Sequence, residues 1–340
     1  MTLHPNRRQA FQALAALTTL AAAGCAGMPP RDPASITIAA LFAGNVRDQG
    51  FMQSGYEGLV QAKESLGVTT RYLDGMAPQK ELLVAGLRQL AQAGPQMVIA
   101  HGGQNNAAAQ QVASEFPAIH FAVTQGDVTG ANLSSYEALQ EESAWLAGAL
   151  AGLSTRSGVV GHMSGIRVRP GLKGRAAFAD GVKTANPGVR LLTNFSGNQD
   201  DNALSRRIAL AQMDAGADII FTMLNAGRDG VTQACRERGA RQIGNVRDWT
   251  VGDPGVFMAS AIANVSRAVL MAAQDEAGGR WKPGVIRTLG LSDPSAVRLA
   301  MAPDVPAGLR QKIAVYTDAI IAGKIAVPDS YAGPEFLLAA

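Results

Sequence analysis

Apolar positions along the chain alternate between short unbroken blocks and stretches of helical period. Residues 36–43 (ITIAALFA) form a continuous apolar block ending at Gly44, the pattern of a buried strand followed by a turn. Over 52–66 the apolar residues Tyr56, Leu59, Val60 and Leu66 recur at helical spacing. A strand-like run at 68–73 follows, then a helix at 79–93 stopped by Gly94-Pro95. Strand 96–101, helix 105–115 and strand 119–124 continue the series, and a short run at 131–135 leads into a helix through 153. The pattern then restarts: strand 157–163, helix 170–186, strand 189–195, helix 201–215, strand 217–223, helix 228–239 and strand 241–246. A helix over about 257–276, strands near 285–291 and 297–300, and a helix at 306–322 complete the prediction.

Strands that alternate with helices predict an α/β fold, with parallel sheets covered by helices on both faces. Two such runs with a mixed tail predict two lobes that the chain crosses between more than once. The expected first lobe is 36–133 plus about 249–284, and the second is 134–248 plus about 285–335. Ligands of open α/β sheets bind outside the carboxyl ends of the strands. That rule points to the loops 44–53, 101–106, 124–127, 163–169, 223–229 and 245–249.

The first 24 residues read as an export signal rather than as fold. Arg7 and Arg8 precede an apolar stretch at 10–24, which is too short to serve as a membrane-spanning anchor. The small residues of Leu20-Ala21-Ala22-Ala23-Gly24 before Cys25 resemble a bacterial lipobox. Lipidation at Cys25 is therefore expected, with residues 25–35, rich in Gly and Pro, as a tether to the membrane.

Composition narrows the function classes. A chain of 340 residues, 47% hydrophobic and 17% charged, is long enough for two cores and is neither disordered nor a coiled coil. The formal charge of +3 falls to about +1 without the signal, and no basic block suggests nucleic-acid binding. Only one other cysteine exists, Cys235, so no disulfide is expected. The four histidines (His4, His101, His120 and His162) do not show metal-ligand spacing, and no metal or cofactor is expected.

At the strand-end loops the sequence resembles a known family. The segment GNVRDQGFMQSGYEGL (44–59) is similar to the signature of the basic membrane protein family of ABC-transporter substrate-binding lipoproteins. Further similar segments follow in order at 115–123, 141–165, 178–192, 209–221 and 309–328, so the resemblance covers nearly all of 36–328. It implies a two-lobed type I periplasmic-binding-protein fold. It also implies capture of a small ligand between the lobes and delivery to an ABC permease. Well-understood members of that family bind purine nucleosides, gripping the base with aromatic rings and the ribose with carboxylates and a lysine.

Carried over residue by residue, the resemblance places Phe51 at the aromatic platform and Asp48 at the acidic position of the motif. Phe51 can stack on a heterocycle or plug the start of its helix. Asp48 can bind ligand donors or cap that helix. Departures are also present. The motif asparagine is Met52, and the acid expected after a late strand is missing from Gly244-Asn245-Val246. Asp248 is a candidate substitute, and Trp249 a candidate second stacking face or a packing residue near the hinge. Asn225 and Asp229 offer polar contacts after the strand at 217–223. Gly102, Gln104 and Asn105 form an amide-rich turn, fit either to meet a ligand or to cap a helix. Arg167 and Arg169 would reach an acidic ligand group or lie solvated.

Enzyme signatures are missing from the sequence. In GHMSG (161–165) the serine stands one place late for a nucleophile elbow, and no phosphate-binding or dinucleotide loop occurs. The expected function is an importer's binding protein for a purine-nucleoside-like heterocycle. The alternatives are a receptor for a flavin, pterin or other polar aromatic, or a surface lipoprotein with no transport role. Cys25→Ser is expected to shift the protein from the membrane to the soluble fraction on cell fractionation. A variant that still pellets with membranes removes the lipid anchor from the account.

Overall fold

The computed structural model describes residues 32–338. The signal segment, Cys25 and most of the tether lie outside the described residues. Among the described residues, no helix is long and apolar enough to cross a membrane.

Two six-stranded sheets form the framework, and their strand orders repeat one scheme. In the first, β1 (Thr37–Phe42) is flanked by β2 (Thr69–Leu73) and β3 (Met97–His101), followed by β4 (His120–Thr124), β5 (Leu133–Ala138) and β11 (Ile286–Leu289). In the second, β6 (Val159–Ser164) lies between β7 (Arg190–Phe195) and β8 (Ile219–Met223). It continues through β9 (Arg241–Val246), β10 (Phe257–Ala263) and β12 (Val297–Met301). Every pairing between these strands is parallel except β10 with β12. Helices α1 (Phe51–Leu66), α2 (Lys80–Gln92) and α3 (Asn106–Glu115) belong to the first run. Helices α4 (Gln140–Ser154), α5 (Arg169–Ala185), α6 (Asn202–Asp214) and α7 (Arg228–Arg238) belong to the second.

The chain crosses between the sheets three times: from β5 into α4, from β10 into α8 (Ser266–Ala277), and from β11 to β12. Helix α9 (Ala307–Ile321) closes the second lobe against α4. The Glu142 carboxylate, on α4, accepts from the Leu291 amide at 2.7 Å and so ties the first crossing to the third.

Two sequence expectations change here. Residues 257–263 are a fully buried strand, not the start of a helix. A continuous apolar run such as FMASAIA has no period that separates a buried strand from a buried helix. The lobe boundaries move as well. All of β5 and all of β11 join the first sheet, and β10 joins the second. β5 carries Ser134, Ser135 and Glu137 yet is buried along its whole length, so its polarity hides its central place.

Helices α4 and α5 pack backbone to backbone. A Cβ at Gly148 would overlap the Phe178 carbonyl oxygen, and one at Gly181 would overlap the Trp145 carbonyl oxygen. Neither obstacle is a flexible side chain, so the helices must separate to admit a methyl group. Gly148→Ala is expected to destabilise the fold by about 1–3 kcal/mol, read as a lower urea midpoint with an unchanged slope. An unchanged midpoint would show that the two helices are not locked together.

Candidate functional site

A cavity of about 410 Å³ lies between the lobes, within the usual range of roughly 300–1,000 Å³ for small-molecule sites. Its first wall is built from the loops after β1 and β2, with Gln104 from the loop after β3. The opposite wall comes from the loops after β6, β7, β8 and β9, with Gln140 from the first crossing. Both sheets therefore present their carboxyl ends to one space, as the α/β rule requires.

Asp48 and Phe51 stand together on the first wall. Asp48 also caps α1. Its carboxylate accepts from the amides of Gly50 at 2.8 Å, Met52 at 3.0 Å and Gln53 at 3.0 Å. Burial raises its pKa above the ordinary value, the three amides oppose that shift, and the nearby Asp200 adds to it. Phe51 is the first residue of α1, and its ring stacks on His101 with centroids 4.4 Å apart and planes at 30°. Imidazole Nε2 meets the Phe51 carbonyl oxygen at 3.1 Å, and Nδ1 meets the Thr124 hydroxyl at 2.7 Å. Burial lowers the His101 pKa to about 4, so the ring is neutral near pH 7. The Phe51 carbonyl can only accept, so Nε2 donates to it, and Nδ1 accepts from Thr124. A side chain at position 55 would overlap this imidazole, so the close fit of α1 over His101 requires Gly55.

The remaining sequence candidates separate into those that meet the cavity and those that hold its walls. Gln104 and Asn225 line it, and Asn225 Oδ1 lies 3.4 Å from the Phe51 amide across the lobes. Gly102 and Asn105 do not line it. The Asn105 amide is buried and donates to the carbonyls of His101 at 2.8 Å and Gly102 at 3.2 Å, which fixes the turn. Asp229 pairs with Arg228 at 2.8 Å and points outward. Asp248 accepts from the Thr250 amide and hydroxyl in a local turn. Trp249 donates from Nε1 to the Asn245 carbonyl at 3.0 Å and packs 3.3 Å from the Arg228 guanidinium. It braces the second wall from behind and offers the cavity no stacking face. Arg167 bonds Glu335, and Arg169 bonds Asp127 and Glu137.

Several lining residues lie beyond the sequence candidates. Gln140 is buried at the first crossing with Nε2 unpartnered, and Met52, Met76 and Met223 supply soft apolar surface. Asp200 and its neighbour Asp201 divide their work. Asp201 caps α6 through the Leu204 amide at 2.9 Å, and Asp200 lines the cavity. The carboxyl-end rule applied to the loop after β7 would have found it. Asn245 also lines the cavity, turned by Val246, whose φ of 65° is costly for a β-branched residue. The same bend sends Arg247 across to Glu57 of α1, at 2.5 Å.

A family model described as ABC transporter substrate-binding protein PnrA-like (Bmp) matches residues 35–330. Relatives include the transcriptional activator protein med of Bacillus subtilis, 21% identical over 77% of this chain and 81% of that protein. A purine-binding protein of Brucella abortus is 22% identical over 73% of this chain and 70% of its own length. An ABC transporter nucleoside-binding protein of Lactococcus lactis is 22% identical over 84% of this chain and 87% of its own length. Among solved structures, a solute-binding protein from Aeropyrum pernix superposes with a TM-score of 0.76 at 20% identity. That match covers 86% of this chain and 94% of the other. The fold is thus that of two-lobed solute-binding proteins.

Asp48 gives the site a pH signature. A carboxyl whose folded pKa is raised favours folding below its unfolded value, and that contribution is lost as pH rises through the folded value. Asn caps helices as well as Asp does. Here one oxygen of Asp48→Asn can still accept from Gly50 and Gln53 while the Met52 amide loses its acceptor, so the variant's melting temperature relative to the parent protein's is expected to fall as pH is lowered from 8 toward 3. A variant that is less stable at pH 8 than at pH 3, relative to the parent, would show that the native state favours the ionised carboxylate.

Proposed function

The chain belongs to the PnrA-like family of ABC-transporter substrate-binding proteins, and from that premise we propose that its interlobe cavity captures a purine-nucleoside-like heterocycle for import. The observation that carries this reading is the Phe51 ring on the cavity wall, backed by a neutral, doubly hydrogen-bonded His101. A ring held this way is a preorganised stacking surface, and base–aromatic stacking contributes roughly 1–3 kcal/mol. Methionine sulfur and the amides of Gln104 and Asn225 complete an apolar face with a polar edge. The names of the purine-binding and nucleoside-binding relatives support the same ligand class.

The mechanism is binding with closure. Opening is a rotation of the lobes at the three crossings, and a ligand that touches both walls shifts the population toward the closed form. Ion pairs between the lobes, Glu57 with Arg247 and Glu137 with Lys173, join the two walls in this structure. In this reading the closed form is presented to the permease, and Cys25 tethers the protein outside the cytoplasmic membrane face.

Thermal-shift screening over nucleosides, nucleobases, flavins and pterins is expected to raise the melting temperature with the true ligand by mass action. Phe51→Ala is expected to weaken calorimetric affinity at least about tenfold, consistent with the loss of one stacking face, while leaving the circular dichroism spectrum unchanged. Unchanged affinity removes Phe51 from the site.

A further inference from the structure

The cavity wall is one-sided in charge. Among the described residues that line it, the only ionisable side chains are the carboxyls of Asp48 and Asp200, one from each lobe. No lysine, arginine or histidine is among them. The positive groups nearby are engaged behind the walls. Arg228 is buried against Trp249 and paired with Asp229, and Arg247 is bound to Glu57. Arg169 is held by Asp127 and Glu137.

Helix N-termini also face this end of the sheets, each equivalent to about half a positive charge. Two are already answered by carboxylates: α1 by Asp48 itself and α6 by Asp201. The turn before α7 donates the Ala226 amide to Asp200 Oδ1 at 3.2 Å, and Asp229 stands in the first turn of that helix. The N-terminus of α5 also lines the cavity, through Val168, Pro170 and Gly171, with no acidic residue in its first turn, and at about half a charge it offsets the two lining carboxylates only in part.

Hydrogen-bond capacity is left over on both walls. Asp48 Oδ2 accepts one amide and Asp200 Oδ1 one amide, so each carboxylate keeps acceptor positions. Between the lobes, Gln140 is 6% exposed, lines the cavity, and has an Nε2 with no partner. A buried donor without a partner in a polar cavity points to a guest that supplies the acceptor.

We infer that the cleft ranks its guests by charge: a heterocycle carrying a positive charge binds best, held between Asp48 of one lobe and Asp200 of the other, a neutral one binds less well, and an anionic one is refused. This rests on the heterocycle reading of the same cavity and adds the electrostatic term to it. A cation between the two carboxylates relieves their mutual repulsion only when the lobes are closed, so the charge that selects the guest also favours closure. A phosphorylated guest meets two negative groups and no lining cation.

The test is a charge series on one scaffold at pH 6 and low salt, where 7-methylguanosine keeps its N1 proton and its net positive charge: 7-methylguanosine as cation, guanosine as neutral, and guanosine 5′-monophosphate as anion. Calorimetry is expected to show each step of lost positive charge weakening affinity at least about tenfold. The spread is expected to narrow in Asp200→Asn and at 0.5 M salt, where separated charges are screened. The side-chain amide oxygen of Asp200→Asn can still accept the Ala226 amide, so the loop is retained. Guanosine binding as tightly as 7-methylguanosine, or the monophosphate matching guanosine, overturns the charge ranking and leaves the heterocycle reading intact. Failure of all three to bind counts against the nucleoside reading instead. The ranking is then judged without a ligand, from the Asp48 carboxyl titration followed by ¹³C NMR. A lower Asp48 pKa in Asp200→Asn supports the paired field, and an unmoved one overturns it.

Discussion

The stack of Phe51 on His101 fixes where the first wall of the cleft can stand. The imidazole rises from the end of β3, receives the Thr124 hydroxyl from the end of β4, and donates to the first carbonyl of α1. Three elements are thereby joined by one ring. The helix can approach that ring only because position 55 has no side chain. Asp48 completes the junction by satisfying three amides in the turn and first residues of α1. Burying a neutral imidazole with both nitrogens bonded costs little, whereas burying it charged would cost several kcal/mol or more. The low pKa and the rigid platform thus have the same cause.

Two sets of contacts couple the lobes: Arg169 and Lys173 of α5 meet Asp127 and the buried Glu137 of the first lobe, and a second set lies on α1. Asn225 reaches the amide of Phe51, and Arg247 reaches Glu57 on the same helix. Helix α1 therefore carries the platform on one turn and an interlobe ion pair on later turns. Partly exposed ion pairs of this kind are each worth little in water. The pairs of the buried Glu137 with Lys173 and Arg169 are not of this kind, and opening the lobes must rehydrate those charges. The Val246 backbone, held at positive φ, is where the second lobe stores strain to aim Asn245 and Arg247.

Much of the site could be read in advance and some could not. Phe51, Asp48, Gln104 and Asn225 occupy loops that the carboxyl-end rule marks, and all four line the cavity. Asp48 performs the capping role that the sequence left as an alternative, and it lines the wall as well. Trp249 and Asp248 also occupy such a loop but turn away, because the indole finds the Arg228 guanidinium and the carboxylate finds Thr250. Direction out of a loop depends on backbone dihedrals, and composition does not encode these visibly. His101 opens the loop 101–106 that the same rule marks. Its role under Phe51 depends on a partner fifty positions away.

Local pattern was enough for the alternation of strands and helices, the two-lobed α/β class and the family. These follow from periodicity, from turn residues, and from motifs in fixed order. Packing between distant segments was needed to show that 257–263 is a central strand, that β5 and β11 share the first sheet, and that Asp200 faces Asp48 across a cavity. No short window of residues contains those contacts. A buried polar strand, or one carboxylate of an adjacent pair, takes its meaning from what packs against it.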